Sequence, residues 1–172
     1  MVVACGLGQF TGRARVAGVA PKQQAAYAIA SKAPFPAAYA LVPAAACARR
    51  WPRRFLRVTR WQLAEADRQV LDGPLGDLVS ADYAEAFRQG TRGVAHDLAL
   101  LFRPWPFDLS EIRLSVSFFH GARDRTVPVS TAHTLARTVP GSRLRIYDED
   151  GHFSLVPRNA ESILETVAGT AE

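Results

Sequence analysis

Leu114-Ser-Val-Ser-Phe-Phe-His-Gly-Ala-Arg-Asp-Arg-Thr-Val-Pro128 decides how the rest of the chain reads. Leu114, Val116 and Phe118 alternate with Ser115 and Ser117, the period-two pattern of a strand. Gly121 to Pro128 is a loop. Ser130 reads as the N-cap of a helix with an apolar stripe of Ala132, Leu135, Ala136 and Val139, closed by Pro140-Gly141. Arg143 to Tyr147 is a second strand, with Leu144 and Ile146 on one face. Asp148-Glu-Asp-Gly-His-Phe153 is a second loop, and Asn159 reads as the cap of a last helix that buries Ile163, Leu164 and Val167. Strand, helix, strand, helix is a parallel crossover unit, right-handed by rule, with helices over the sheet.

Two side chains of this stretch can act together. Asp124 falls just past the end of the first strand and His152 just past the end of the second. In an open α/β sheet those strand ends share one rim, where ligands bind. A carboxylate beside an imidazole fixes its tautomer and stabilises the imidazolium, which makes the ring an effective base near neutral pH. Gly151 is expected to let the backbone turn tightly, so that the ring points over the rim. The two groups should then stand roughly 2.6–3.2 Å apart. His120, at the strand end, reads as a satisfied imidazole, and His133 and His96 read as exposed. Asp148, Glu149 and Asp150 read as a solvated loop rather than a metal site, because adjacent side chains on a strand end point in alternating directions.

Upstream the pattern differs. Arg15 to Ala20, with Val16 and Val19, reads as a short buried strand ending at Pro21. From Lys22 to about Pro104 there is no strand pattern, only helices broken by Pro and Gly. They cover Gln24 to Lys32, Tyr39 to Val42, Ala44 to Val58, and Leu63 to Leu71. Pro52 marks a kink or a helix start. Ser80 reads as the N-cap of Ala81 to Arg88, and Val94, Leu98, Leu101 and Phe102 form a later apolar stripe. Gly6-Leu7-Gly8 lacks the third glycine and the helix of a dinucleotide site.

Composition sets the outer bounds. At 172 residues, 48% hydrophobic and 22% charged, the chain is expected to be one soluble domain rather than a disordered segment. The net charge is +5, nearly all of it from arginine. Arg49, Arg50, Arg53, Arg54, Arg57 and Arg60 cluster around Trp51, Phe55 and Trp61. No nucleic-acid fold signature accompanies them, so a solvated helix face with aromatics packed beneath is preferred to an anion-binding patch. Cys5 and Cys47 fit neither a disulfide framework nor a metal spacing, and both read as buried thiols in a reducing compartment. No signal-peptide pattern and no apolar run of about 18 residues is found, so a cytoplasmic location without membrane or nucleic-acid partners is expected.

His120-Gly-Ala-Arg-Asp124, followed by Val127-Pro128, Leu135-Ala136, Pro140 and Gly151-His152, resembles the carboxyl-terminal part of an α/β-hydrolase-fold protein. The resemblance covers Leu114 to Val167 and implies that Asp124 is the catalytic acid and His152 the catalytic base. Residues Lys22 to Leu109 are similar to the helical cap of that family, and Arg15 to Pro21 to the strand before the cap. The expected architecture is therefore a partial α/β-hydrolase fold, a small parallel sheet with flanking helices and a helical cap insertion. Residues 1–21 would be a remnant of the core, 22–110 the cap and 111–172 the carboxyl-terminal core.

The sequence departs from the family in one respect. None of its serines stands in a Gly-x-Ser-x-Gly elbow. That elbow and the oxyanion-hole loop are expected upstream of Arg15. Cys5, read without a preceding strand, is taken as a small helix residue and not as a replacement. Two functions of different class remain. One is a serine-hydrolase-like enzyme acting on a small-molecule ester or amide once the missing half is supplied. The other is an inactive structural or interaction module. Neither reading requires a cofactor or a metal. The isolated chain is expected to lack esterase activity and to self-associate through the exposed edge of the Arg15 to Ala20 strand.

Overall fold

The computed structural model describes residues 1–8, 38–101 and 105–169. Arg15 to Ala20, the helix at Gln24 to Lys32 and Phe102 lie outside them. The described residues fall into two compact units. The first comprises Met1–Gly8, Leu63–Asp67 and residues 105–169; the second comprises 38–62 and 68–101.

The first unit is built on a parallel sheet of three strands in the order β1-β2-β3, with β1 at Val2–Ala4, β2 at Ser117–Gly121 and β3 at Arg143–Tyr147. Val2 stands opposite Ser117 and Ala4 opposite Phe119; Ser117 stands opposite Arg143 and Gly121 opposite Tyr147. The strand that pairs with β2 among the described residues is thus Val2–Ala4, which sequence reading left unassigned. Three residues are too few to show a period. The pairing is held instead by Met1 and Cys5, whose carbonyl and amide bond Ser117 N and Phe119 O, each at 2.9 Å.

All five residues of β2 are buried, so its alternation separates two apolar layers rather than a wet face from a dry one. Val116 and Phe118 pack with Leu135 of helix α6, Val129–Thr138, and with Val139 just after it. Phe119 packs with Leu155 and Ile163 of helix α7, Leu155–Gly169, together with Val2, Ala4 and Tyr147. A strand covered on both sides is the expected state of a parallel sheet. Leu114 lies outside β2 and is exposed.

Local boundaries differ from the sequence reading in three places. Helix α6 begins at Val129, with Pro128 rather than Ser130 at the capping position, because the ring of Pro128 already turns the chain. In α7 the helical angles break at Asn159, whose amide reaches the Leu155 carbonyl at 2.8 Å and Asp150 Oδ2 at 2.6 Å. Asn159 therefore does cap-like work between a first turn and the main helix. Leu164 and Val167 are exposed, and Ile163 carries the burial.

The helices before β2 are α1 at Val42–Arg50, α2 at Pro52–Thr59, α3 at Glu65–Val70, α4 at Pro74–Ala86 and α5 at Arg92–Leu101. Trp51, at φ −140° and ψ 62°, separates α1 from α2, so Pro52 starts a helix and does not kink one. Ser80 is interior to α4 and caps nothing; its buried hydroxyl donates to the Gly76 carbonyl one turn back, at 2.7 Å. In α5 the buried residues include Ala95 and Ala99.

Ala45, Ala48 and Phe87 form the core of the second unit, with Phe55 edge-on to Tyr83 at 5.4 Å. Trp51 and Trp61 are exposed and do not pack beneath the arginines as expected. Arg50 stacks over Trp51 instead, and Arg53 and Arg60 pair with Asp77 and Asp72. No helix among the described residues is long and apolar enough to cross a membrane.

Candidate active site at the carboxyl end of the sheet

Two loops meet where β2 and β3 end. The acid loop leaves β2 at Gly121 and is tied to the other loop by its backbone: Ala122 N donates to Tyr147 O at 2.9 Å and Arg123 N to Asp150 O at 3.0 Å. The approach is close enough to demand glycine at 121. A Cβ there would stand 2.3 Å from Asp150 O and 2.5 Å from Gly151 O. Outside, the Arg123 guanidinium spans the same two loops, donating to Asp148 O at 3.1 Å and pairing with Glu149 at 2.6 Å.

Asp124 is fixed by its own loop. Its Oδ1 accepts the amides of Thr126 and Val127, each at 2.7 Å, the turn geometry that Asp favours. Its side chain is fully buried. Oδ2 faces His152 Nδ1 at 2.9 Å and His120 Nε2 at 3.5 Å. An ionised carboxylate only accepts, so His152 Nδ1 carries the proton and Nε2 keeps a lone pair. The His152 ring is partly open to solvent, which leaves it accessible to a substrate. The structure thus brings together the two residues singled out in the sequence.

His120 is buried completely, and its Nε2 donates to Val127 O at 2.8 Å. That bond fixes the proton on Nε2 and leaves Nδ1 without a partner among the described residues. The ring is half satisfied, not fully satisfied as the sequence suggested. His133 and His96 are exposed. Asp148 and Glu149 are solvated, but Asp150 is buried and held by Arg158 at 3.1 Å and Asn159 at 2.6 Å. Its carboxylate locks the loop to the start of α7.

Cys5 is not a helix residue. It follows β1 directly and has φ 49°, in the left-handed region. Its Sγ lies 3.7 Å from His152 O. Burial, then the neighbouring Asp124 charge, push the thiol pKa up to about 12. A reactive cysteine needs the opposite shift, so this thiol is not an activated nucleophile. Ligand atoms of Cys5, His120 and Asp124 lie within 4.8 Å of one another. Both Asp124 oxygens and His120 Nε2 are already committed to hydrogen bonds.

One residue of the site went unnoticed in the sequence. Asp67 of α3 is wholly buried beneath the His152 loop and hydrogen-bonds it. Nothing in its local context, Glu65-Ala-Asp-Arg68, distinguishes it from an exposed helix acid.

With this geometry in view, likeness to known proteins is informative. No model of a known protein family matches the sequence. The chain is similar to a pimeloyl-[acyl-carrier protein] methyl ester esterase of Aromatoleum aromaticum, 29% identical over 117 residues, which cover 67% of this chain and 45% of that protein. Among solved structures it is similar to a bromoperoxidase from Bacillus anthracis, with TM-score 0.50 and 18% identity over 80% of this chain and 49% of that one. An esterase from Exiguobacterium antarcticum gives TM-score 0.47 and 14% identity, covering 78% and 48%. The chain spans about half the length of the proteins it matches. The class of protein is therefore plain: the chain has part of the α/β-hydrolase fold, a parallel sheet flanked by helices, and its relatives are α/β hydrolases. The particular relative matched in sequence is an esterase.

Proposed function

We propose that this chain carries the acid and the base of a carboxylic-ester hydrolase, with Asp124 as the acid and His152 as the base. The observation that carries the reading is the 2.9 Å contact between Asp124 Oδ2 and His152 Nδ1, which leaves Nε2 as a free acceptor. A hydroxyl nucleophile placed at Nε2 would pass its proton there as it attacks an ester carbonyl. Asp124 would stabilise the imidazolium, and the imidazolium would then protonate the departing alkoxide. Water, deprotonated by the same nitrogen, would release the acyl group. The methyl ester named in the relative supports a carboxylic ester as substrate.

No nucleophile elbow can be read in the sequence, whose 172 residues contain no Gly-x-Ser-x-Gly. The same observation, joined to the neutral thiol of Cys5, favours a second reading: that this polypeptide alone is an inactive module. Self-association belongs to that reading, since β1 pairs with β2 on one side and with no strand among the described residues on the other. A serine-reactive phosphonate separates the two. Offered to the purified chain it should label nothing, and stoichiometric labelling of one serine would show that a nucleophile is already present.

A further inference from the structure

Asp67 is the most heavily hydrogen-bonded carboxylate near the site, and nothing in the acid–base scheme uses it. Its Oδ1 accepts the amides of Phe153 and Ser154 and the hydroxyl of Ser154, each at 2.9 Å. Its Oδ2 accepts the amide of His152 at 3.0 Å. Three consecutive amides converging on one anion form a nest. They lie just ahead of α7, where the helix dipole also favours negative charge. Ser154 Oγ in turn accepts the Gly151 amide at 2.8 Å, which closes the cluster.

Gly151 supplies an independent observation. Its φ is not positive, so its backbone conformation does not require glycine. What requires it is Asp67: a Cβ at 151 would stand 2.2 Å from Oδ2 and 2.5 Å from both Cγ and Oδ1. The glycine before the histidine is therefore the space into which the carboxylate fits, and the expectation of a tight turn is corrected accordingly.

We propose that Asp67 is a positioning residue for His152: its buried carboxylate fixes the backbone of residues 152–154 and thereby sets the ring against Asp124. The proposal rests on His152 being the base only for its functional meaning. A free ring on an unanchored loop would sample rotamers and backbone positions that break the Asp124 contact, whereas three amide anchors remove that freedom.

The test uses the intact chain. In the unaltered protein the amide protons of His152, Phe153 and Ser154 should exchange only on unfolding of the sheet unit; exchange near the random-coil rate at these amides would overturn the proposal. Asp67→Asn keeps the shape but replaces one acceptor oxygen with a donor, so at least one amide loses its partner. Exchange at these amides should rise about tenfold or more. Long-range 1H–15N spectra should show His152 moving from a single Nδ1–H tautomer to a mixture. A folded Asp67→Asn variant that keeps the single tautomer would reduce Asp67 to a structural anchor and sink the proposal. Failure of the catalytic reading looks different: the tautomer responds to Asp67→Asn, while ester hydrolysis by the chain supplied with a nucleophile-bearing half is indifferent to Asp124→Asn.

Discussion

The Asp67 carboxylate occupies the place where a side chain at Gly151 would begin, with Oδ2 only 2.2 Å from that Cβ position. Two residues 84 positions apart are thus a matched pair, one small because the other is charged and buried. Gly151→Ala should destabilise the protein by about 1–3 kcal/mol, the usual range for overpacking a filled site. In an Asp67→Ala background the same change should cost less, because the clashing atoms are gone. A double-mutant cycle by urea denaturation should give a coupling of about 0.5–3 kcal/mol; strict additivity would show that the two residues do not meet.

The Asp124–His152 contact predicts a tautomer. In the unaltered chain the neutral His152 ring should carry its proton on Nδ1. In Asp124→Asn the side-chain oxygen remains engaged by Thr126 and Val127, which turns the amide NH2 toward Nδ1. Two donors cannot face each other, so the proton must move to Nε2. Nitrogen chemical shifts report this directly, and an unchanged tautomer would mean the two side chains are not in contact in solution.

Phe118 and Phe119 sit on opposite faces of β2, one under α6 and the other under α7. Each change to alanine should cost about 3–5 kcal/mol. If β2 were a half-exposed strand, one of the two would be nearly silent. Equilibrium unfolding of both variants checks this, and a loss below about 1 kcal/mol for either would contradict a sheet covered on both sides.

Cys5 gives a pH dependence with a defined sign. Its thiol pKa rises from 9.0 to about 12 in the folded chain, chiefly through burial. The folded state therefore holds the proton more tightly. The associated stability is complete below pH 9 and is lost as the pH rises toward 12. Denaturation midpoints should fall more steeply across that window in the unaltered chain than in Cys5→Ala. Iodoacetamide should also alkylate Cys5 far more slowly at pH 8 than an unstructured thiol. Equal pH slopes, or rapid alkylation, would contradict the placement of this side chain.

The contact between Asp124 and His152 was legible in the sequence because each member is announced by its neighbours. Gly121 marks two backbones in close approach and Gly151 the space that a buried carboxylate fills, and the strands before them show as alternation. Both boundaries of β3 are where its alternation puts them, at Arg143 and Tyr147. Val2–Ala4 was not legible, since a three-residue strand has no period and takes its identity from β2. Asp67 was hidden for another reason. A helix acid is normally solvated, and its burial arises from a loop 85 residues away. Ser80 illustrates the ambiguity of a short hydroxyl: the residue type that caps a helix can also bond the preceding turn from inside one.

The central claim is that Asp124 and His152 act as acid and base on an ester. Its most direct test is the rate of p-nitrophenyl butyrate hydrolysis by this chain supplied with a nucleophile-bearing half of an α/β-hydrolase fold. The account predicts hydrolysis that falls about ten-thousandfold in Asp124→Asn, with a loss of similar size in His152→Ala and little more in the double variant, as expected for residues acting as one unit. No hydrolysis above buffer, or hydrolysis that survives Asp124→Asn, would contradict it.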